Sequence, residues 1–119
     1  MIEPLSLAKE LITIPSTLGN TSAIEEFVSS RLSRVKDATV ELGRVGKLGR
    51  NVMATVIHDP SLQTILINGH LDTVEVCKGW TRDPFVPFLD DDKIYGLGSA
   101  DMKSGVAIGM CSFERLAAL

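Results

Sequence analysis

The sequence predicts an α/β fold, layered, with a mixed sheet covered by helices. Three observations carry that prediction. Apolar residues recur at helical spacing near both ends, at Leu5, Ala8, Leu11 and Ile12 and again at Val106, Ile108, Met110, Phe113, Leu116 and Leu119. Between residues 38 and 57 the period changes to alternation, punctuated by Gly43, Gly46 and Gly49, which reads as a β-hairpin. Ile65-Leu66-Ile67 is continuously apolar, the pattern of a central strand covered on both faces. The hairpin argues against a purely parallel sheet.

Taken in order, Pro4 to Ile14 reads as a first helix, stopped by Pro15. Ser22 followed by Glu25 reads as a capping box opening a second helix over Ala23 to Val35, with Ile24, Phe27, Val28, Leu32 and Val35 as its apolar stripe. Ala38 to Val45 and Asn51 to Ile57 are the hairpin strands. Arg44, Lys47 and Arg50 read as its solvated edge. His58 to Ser61 is a turn, and Leu62 to Asn68 a third strand. Pro84 to Leu89 and Lys93 to Tyr95 are short strands around the acidic turn Asp90-Asp91-Asp92. That run lacks the alternating ligands and terminal Glu of a calcium loop. A last helix runs from Met102 onward. Gly105 and Gly109 lie inside it, where small residues permit close packing against a sheet.

The chain has 119 residues, 45% hydrophobic and 23% charged, with a formal charge of -3. That balance fits one globular domain and gives no basic footprint for nucleic acid. No secretory signal precedes the first helix, and no window approaches the length of a membrane span. Cys77 and Cys111 have no CxxC spacing, so a cytoplasmic protein with free thiols is expected. The apolar helix still running at Leu119, with no Gly or Asn cap after it, leads us to expect that residues 1–119 are part of a longer protein.

Chemistry concentrates between Leu66 and Gly105, where apolar strands give way to loops. His70 and Asp72 are two apart on an extended segment and point to the same side. A neutral imidazole ligates zinc and similar ions, and a carboxylate at its second nitrogen fixes the tautomer. Asp101 stands before the last helix, after Gly96-Leu97-Gly98-Ser99-Ala100. Each residue has a plainer reading: a hydrogen-bonded structural histidine, and an N-capping aspartate. The glycines lack the third position of a dinucleotide loop and the Gly-Lys of a phosphate loop. No nucleophile elbow is present, and neither cysteine has a base beside it. His58 sits in a turn and is read as uninvolved. Trp80 is read as a ring packed along a loop. His70, Asp72 and Asp101 together point to one half of a metal site.

In combination, Gly69-His70-Leu71-Asp72-Thr73-Val74, Trp80-Thr81-Arg82-Asp83-Pro84-Phe85 and Tyr95-Gly96-Leu97-Gly98-Ser99-Ala100-Asp101-Met102-Lys103 closely resemble the metallopeptidase family of acetylornithine deacetylase, succinyl-diaminopimelate desuccinylase, aminoacylase-1 and carboxypeptidase G. Leu11-Ile12-Thr13-Ile14-Pro15-Ser16 resembles that family's first helix and loop. The last two of the three motifs look most like the deacetylase branch, in which Leu97 is familiar where other members carry Arg.

The resemblance implies that residues 1–119 are the N-terminal part of a zinc-exopeptidase-like catalytic domain. It implies His70 as a ligand of the first metal, Asp72 as the catalytic carboxylate that holds this histidine, and Asp101 as the bridge between two metal ions. The implied metals are two zinc ions, with cobalt or manganese as substitutes. It further implies a cis peptide bond after Asp101, a small N-acyl amino acid or peptide as substrate, and a homodimer formed through a lid domain. The family's Glu-Glu pair, a later Asp or Glu and a distant His have no match before Leu119. Glu114 lies on a helix body and cannot replace them. The activity implied is hydrolysis of an amide bond by metal-activated water, with these residues carrying part of the site. The alternative is a catalytically inactive fragment or interaction module of the same fold.

Overall fold

A computed structural model describes residues 3–119. Two helices, α1 (Pro4–Ile12) and α2 (Ser22–Leu32), precede the hairpin of β1 (Thr39–Val45) and β2 (Gly49–Thr55). A second, smaller hairpin of β3 (Phe88–Asp90) and β4 (Lys93–Tyr95) leads through a kinked turn at Ser99–Lys103 into α3 (Ser104–Ala117).

Proline at the first turn of α1 costs nothing, because that N–H has no helical partner. The helix ends at Ile12, two residues short of the expected stop. Its last turn tightens as the Ile14 amide donates to the Leu11 carbonyl at 3.2 Å. Leu7, Ala8, Leu11 and Ile12 are buried, whereas Leu5 faces solvent.

The expected capping box at Ser22 does not form. The cap position belongs to Thr21, and the Glu25 carboxylate is drawn elsewhere. It accepts from Thr21 Oγ1 at 2.5 Å, from the Arg50 amide at 3.0 Å and from Arg50 Nε at 2.8 Å. Arg50 is therefore not part of a solvated edge. A buried carboxylate needs such partners, and β2 supplies them across 25 residues of sequence. Burial pushes the Glu25 pKa up, but the Thr21 and Arg50 bonds outweigh it and hold the carboxyl below its usual range. Gly49 makes the approach possible. A Cβ there would lie 2.7 Å from Thr21 Oγ1 and 2.8 Å from Glu25 Oε1.

β1 and β2 pair antiparallel from Thr39 opposite Thr55 to Val45 opposite Gly49. β3 and β4 pair antiparallel around the exposed acidic turn at Asp91 and Asp92. The α/β class stands, but among the described residues these two hairpins are the only sheets. The expected third strand, Leu62 to Asn68, joins neither. Its Ile65 and Leu66 are 71% and 86% exposed, not covered on both faces. A central strand is buried when neighbouring strands pair with its edges and packed layers cover its faces, and residues 3–119 pair no strand with this segment. What the segment does find is α3. A Cβ on Gly109 would lie 2.9 Å from Ile67 Cγ2, so the small residues in α3 do permit close packing.

The core joins α1, α2 and α3 through Leu7, Ala8, Leu11, Ile24, Val28, Leu32, Ala107, Met110 and Cys111. On α3 the buried face is Ala107, Met110 and Cys111; Ile108 and Leu116, expected on it, are exposed. Glu114 pairs with Arg31 at 2.9 Å. Trp80 is exposed, against the expectation of a packed ring. No described helix is long and apolar enough to cross a membrane.

Removing one member of a buried ion pair strands the other. Arg50→Met should cost about 3 kcal/mol of stability, the low end for such a pair because Arg50 is partly exposed. Urea denaturation at pH 7 measures it. The difference should shrink as pH falls through the depressed Glu25 value, because the contribution of a lowered carboxyl pKa is lost there.

Candidate metal centre

His70 and Asp101 are 31 residues apart in sequence and in contact in space. His70 Nε2 lies 2.8 Å from Asp101 Oδ1. His70 Nδ1 donates to the Asp72 backbone carbonyl at 3.0 Å, with the Asp72 carboxylate at 3.5 Å. The sequence reading gave the orienting role to the Asp72 carboxylate. In the structure, the carbonyl of that residue makes the shorter bond. Either way Nδ1 is occupied, and Nε2 is the nitrogen left facing Asp101.

Two loops bring these groups together. The segment just past Asp72 is fixed where the Thr73 amide donates to the Ser16 carbonyl at 2.8 Å, beside a parallel bridge between Thr17 and Thr73. The loop carrying Asp101 turns at Gly98, whose φ of +81° lies in the left-handed region that side chains disfavour. A Cβ there would also come within 2.7 Å of Thr73 Cγ2. Two requirements, one conformational and one steric, therefore make this position glycine. Asp101 itself is not helical, with φ -133° and ψ 95°, and the bond to Met102 is cis. It is not the N-cap of α3; Lys103 occupies that position. The side chain is thus free to meet His70.

Lys103 has no role in the sequence reading beyond its place in the motif that ends Asp101-Met102-Lys103. It is 1% exposed, and its Nζ donates to the Ile14 carbonyl at 2.6 Å. Burial pushes its pKa down to about 8. Nothing in residue type or spacing signals this, because a lysine at the head of a helix is ordinarily solvated.

Burial alone would lower the His70 pKa. The hydrogen bonds to Asp101 and the Asp72 carbonyl, with the charges of both aspartates, reverse that and raise it above the ordinary value. The donor set, an imidazole and a carboxylate, suits zinc and also cobalt or manganese. A tetrahedral zinc with ligands at about 2.0–2.2 Å needs its ligand atoms about 3.3 Å apart. His70 and Asp101 must open slightly to admit it, and both are exposed enough to do so. Among the described residues no cluster of three or more His, Cys, Asp or Glu could hold a metal ion. The pair fits a metal as two ligands of a larger set. His70 and Asp72 line part of an open groove of about 550 Å³ that extends between β2 and residues 66–72, above α3.

Residues 66–119 match the family described as Peptidase family M20/M25/M40. Over 117 residues, 97% of this chain, the sequence is 34% identical to a succinyl-diaminopimelate desuccinylase of Xylella fastidiosa, of which it covers 30%. Over 110 residues, 83% of this chain, it is 34% identical to an acetylornithine deacetylase of Photorhabdus laumondii subsp. laumondii, of which it covers 28%. The crystal structure of human carnosine dipeptidase 1 superposes with a TM-score of 0.77 at 24% identity, covering 97% of this chain and 28% of that one. At that identity the likeness is one of fold. The chain spans about 30% of the length of the desuccinylases it matches.

The raised His70 pKa can be read by NMR on the metal-free protein. The His70 ring should titrate above the ordinary value near 6.5, and Asp101→Asn should bring it down. Stability gained from a raised histidine is present below the unfolded value and lost as pH rises through the folded one. Protection by this contact should therefore fade on the alkaline side of about pH 6.5.

Proposed function

We propose that this chain, similar to peptidase family M20/M25/M40 over residues 66–119, forms one wall of a two-metal site hydrolysing the amide bond of an N-acyl amino acid or small peptide. The reading is carried by one observation: His70 Nε2 and Asp101 Oδ1, distant in sequence, meet at 2.8 Å. The desuccinylase and the deacetylase are equally identical to this chain at 34%, so N-acetyl and N-succinyl amino acids are both in the proposed class.

In this reading His70, through Nε2, and Asp101, through its carboxylate, would hold the metal. Asp72 holds the imidazole by its carbonyl and carboxylate, keeping the proton on Nδ1 and the lone pair of Nε2 toward the metal. A bound pair of divalent cations, zinc in the first instance, would supply a water of lowered pKa and polarise the scissile carbonyl. A catalytic zinc ordinarily has three protein ligands. The remaining ligands, the general base that takes the water's proton, and the residues choosing the acyl group are assigned to polypeptide outside residues 1–119. So is the lid through which a homodimer would form. The setting proposed is cytoplasmic, in keeping with the exposed, unbridged thiol of Cys77.

The two-ligand count also supports a second reading, in which residues 1–119 by themselves are catalytically inactive. Calorimetric zinc titration and an amidase assay separate the possibilities. The 119-residue chain should bind zinc weakly and leave N-acetylornithine and N-succinyl-diaminopimelate intact. A polypeptide encoded by a longer reading frame that includes a Glu-Glu segment should cleave one of them. His70→Ala should abolish zinc binding, and Asp72→Ala should weaken it by about 10–100-fold. Unchanged affinity in both variants would refute these roles. Tight two-site binding with turnover by the 119 residues alone would refute the ligand count.

A further inference from the structure

Lys103 is the most deeply buried charged side chain described, 1% exposed, and the roles assigned above make no use of it. We propose that Lys103 is a positioning residue that sets the His70–Asp101 contact by tying the Asp101 loop to the end of α1; this rests on the metal-site reading above.

The geometry is a three-way junction. The Lys103 amide donates back to the Gly98 carbonyl at 2.8 Å, closing the loop that carries Asp101. Its Nζ donates forward to the Ile14 carbonyl at 2.6 Å, 89 residues away. Two residues beyond Ile14, the Ser16 carbonyl accepts the Thr73 amide at 2.8 Å, which fixes the end of the segment carrying His70 and Asp72. The lysine stem and Thr73 also meet around Gly98. A Cβ on that glycine would lie 2.7 Å from Thr73 Cγ2 and 3.1 Å from Lys103 Cδ. The loops bearing the two candidate ligands are thus both referred to one short stretch, Ile14 to Ser16.

No neighbouring hydroxyl does this work. Ser16 Oγ and Thr73 Oγ1 are buried without a hydrogen-bond partner among the described residues. Among the described residues the ammonium makes the only side-chain hydrogen bond between the 97–103 loop and residues 13–17. It is an expensive choice for packing alone. Burying an ammonium against one carbonyl costs free energy, and a methionine would fill a similar volume without that cost. A methionine could not hold the Ile14 carbonyl. A locally unfavourable residue two positions from a candidate ligand is what a site, rather than a core, requires.

The test uses the 15N-labelled 119-residue chain without metal. Long-range proton–nitrogen spectra of the His70 ring report whether Nε2 is hydrogen-bonded to Asp101, and Asp101→Ala supplies the reference for a lost contact. In Lys103→Met the His70 nitrogen signals should move to the Asp101→Ala positions, while the His58 ring and the amides of Leu11 and Ile24 stay put. If Lys103→Met does not fold, Lys103→Gln is read in the same way, since its shorter side chain stays polar but does not reach the Ile14 carbonyl as the lysine does. Wild-type His70 signals in a folded Lys103→Met or Lys103→Gln protein would overturn the proposal. Cobalt(II) affinity should fall at least about tenfold in Lys103→Met. Failure of the metal reading would show separately, as no cobalt(II) uptake by the unaltered chain, with the ring signals still deciding the role of Lys103.

Discussion

The packing of α1 on α3 makes a site out of two distant loops. Leu7, Ala8 and Leu11 from one helix and Ala107, Met110 and Cys111 from the other share a single buried cluster. Apolar burial is non-directional and cannot by itself place a ligand. Here it brings the C-terminal end of α1 and the N-terminal end of α3 to the same region, and directional bonds finish the placement. The Lys103 ammonium and the Thr73 amide both land on carbonyls between Ile14 and Ser16. His70 and Asp101 then meet because each sits a few residues from one of those bonds.

A second junction does the same for the larger hairpin. Glu25, Thr21 and Arg50 fasten the start of α2 to the start of β2. The carboxylate has three donors around its oxygens, which is what makes its burial tolerable. Gly49 leaves room for them. Both junctions join a helix end to a loop or strand start through a buried charge. The weak pairs on the surface, such as Lys36 with Asp37 at 4.0 Å, have no comparable structural consequence.

What was legible in the sequence was periodic or chemically distinctive. α1, α2, the first hairpin and α3 followed from spacing, with errors of up to three residues at their ends. The cis bond after Asp101, which the motif resemblance implied, is present, and His70 and Asp101 lie in contact. What failed depended on partners far away in sequence. Glu25 read as a cap because local spacing cannot reveal that Arg50 will claim it. Lys103 read as one letter of a motif because its acceptor is a backbone carbonyl, which no side-chain pattern encodes. Residues 62–68 read as a buried strand from composition. Composition specifies what would be buried if neighbours were present, not whether residues 3–119 contain them.

That last failure bears on the site. A strand paired on both sides holds the groups at its C-terminal end rigidly, which is why α/β proteins place chemistry there. Here Thr64 to Asn68 lead into His70 without ladder bonds, and the groove beside them is open toward β2. The position of His70 is instead fixed from behind, by the Thr73 to Ser16 bond and by the closeness of Gly69 to α3, where an added Cβ would lie 3.2 Å from Met102 Cε and 3.5 Å from Val106 Cγ2. Asp101 is held by the loop that Lys103 closes. The imidazole–carboxylate contact therefore depends on the helix-end junction and not on a sheet. Its geometry can exist in these residues alone.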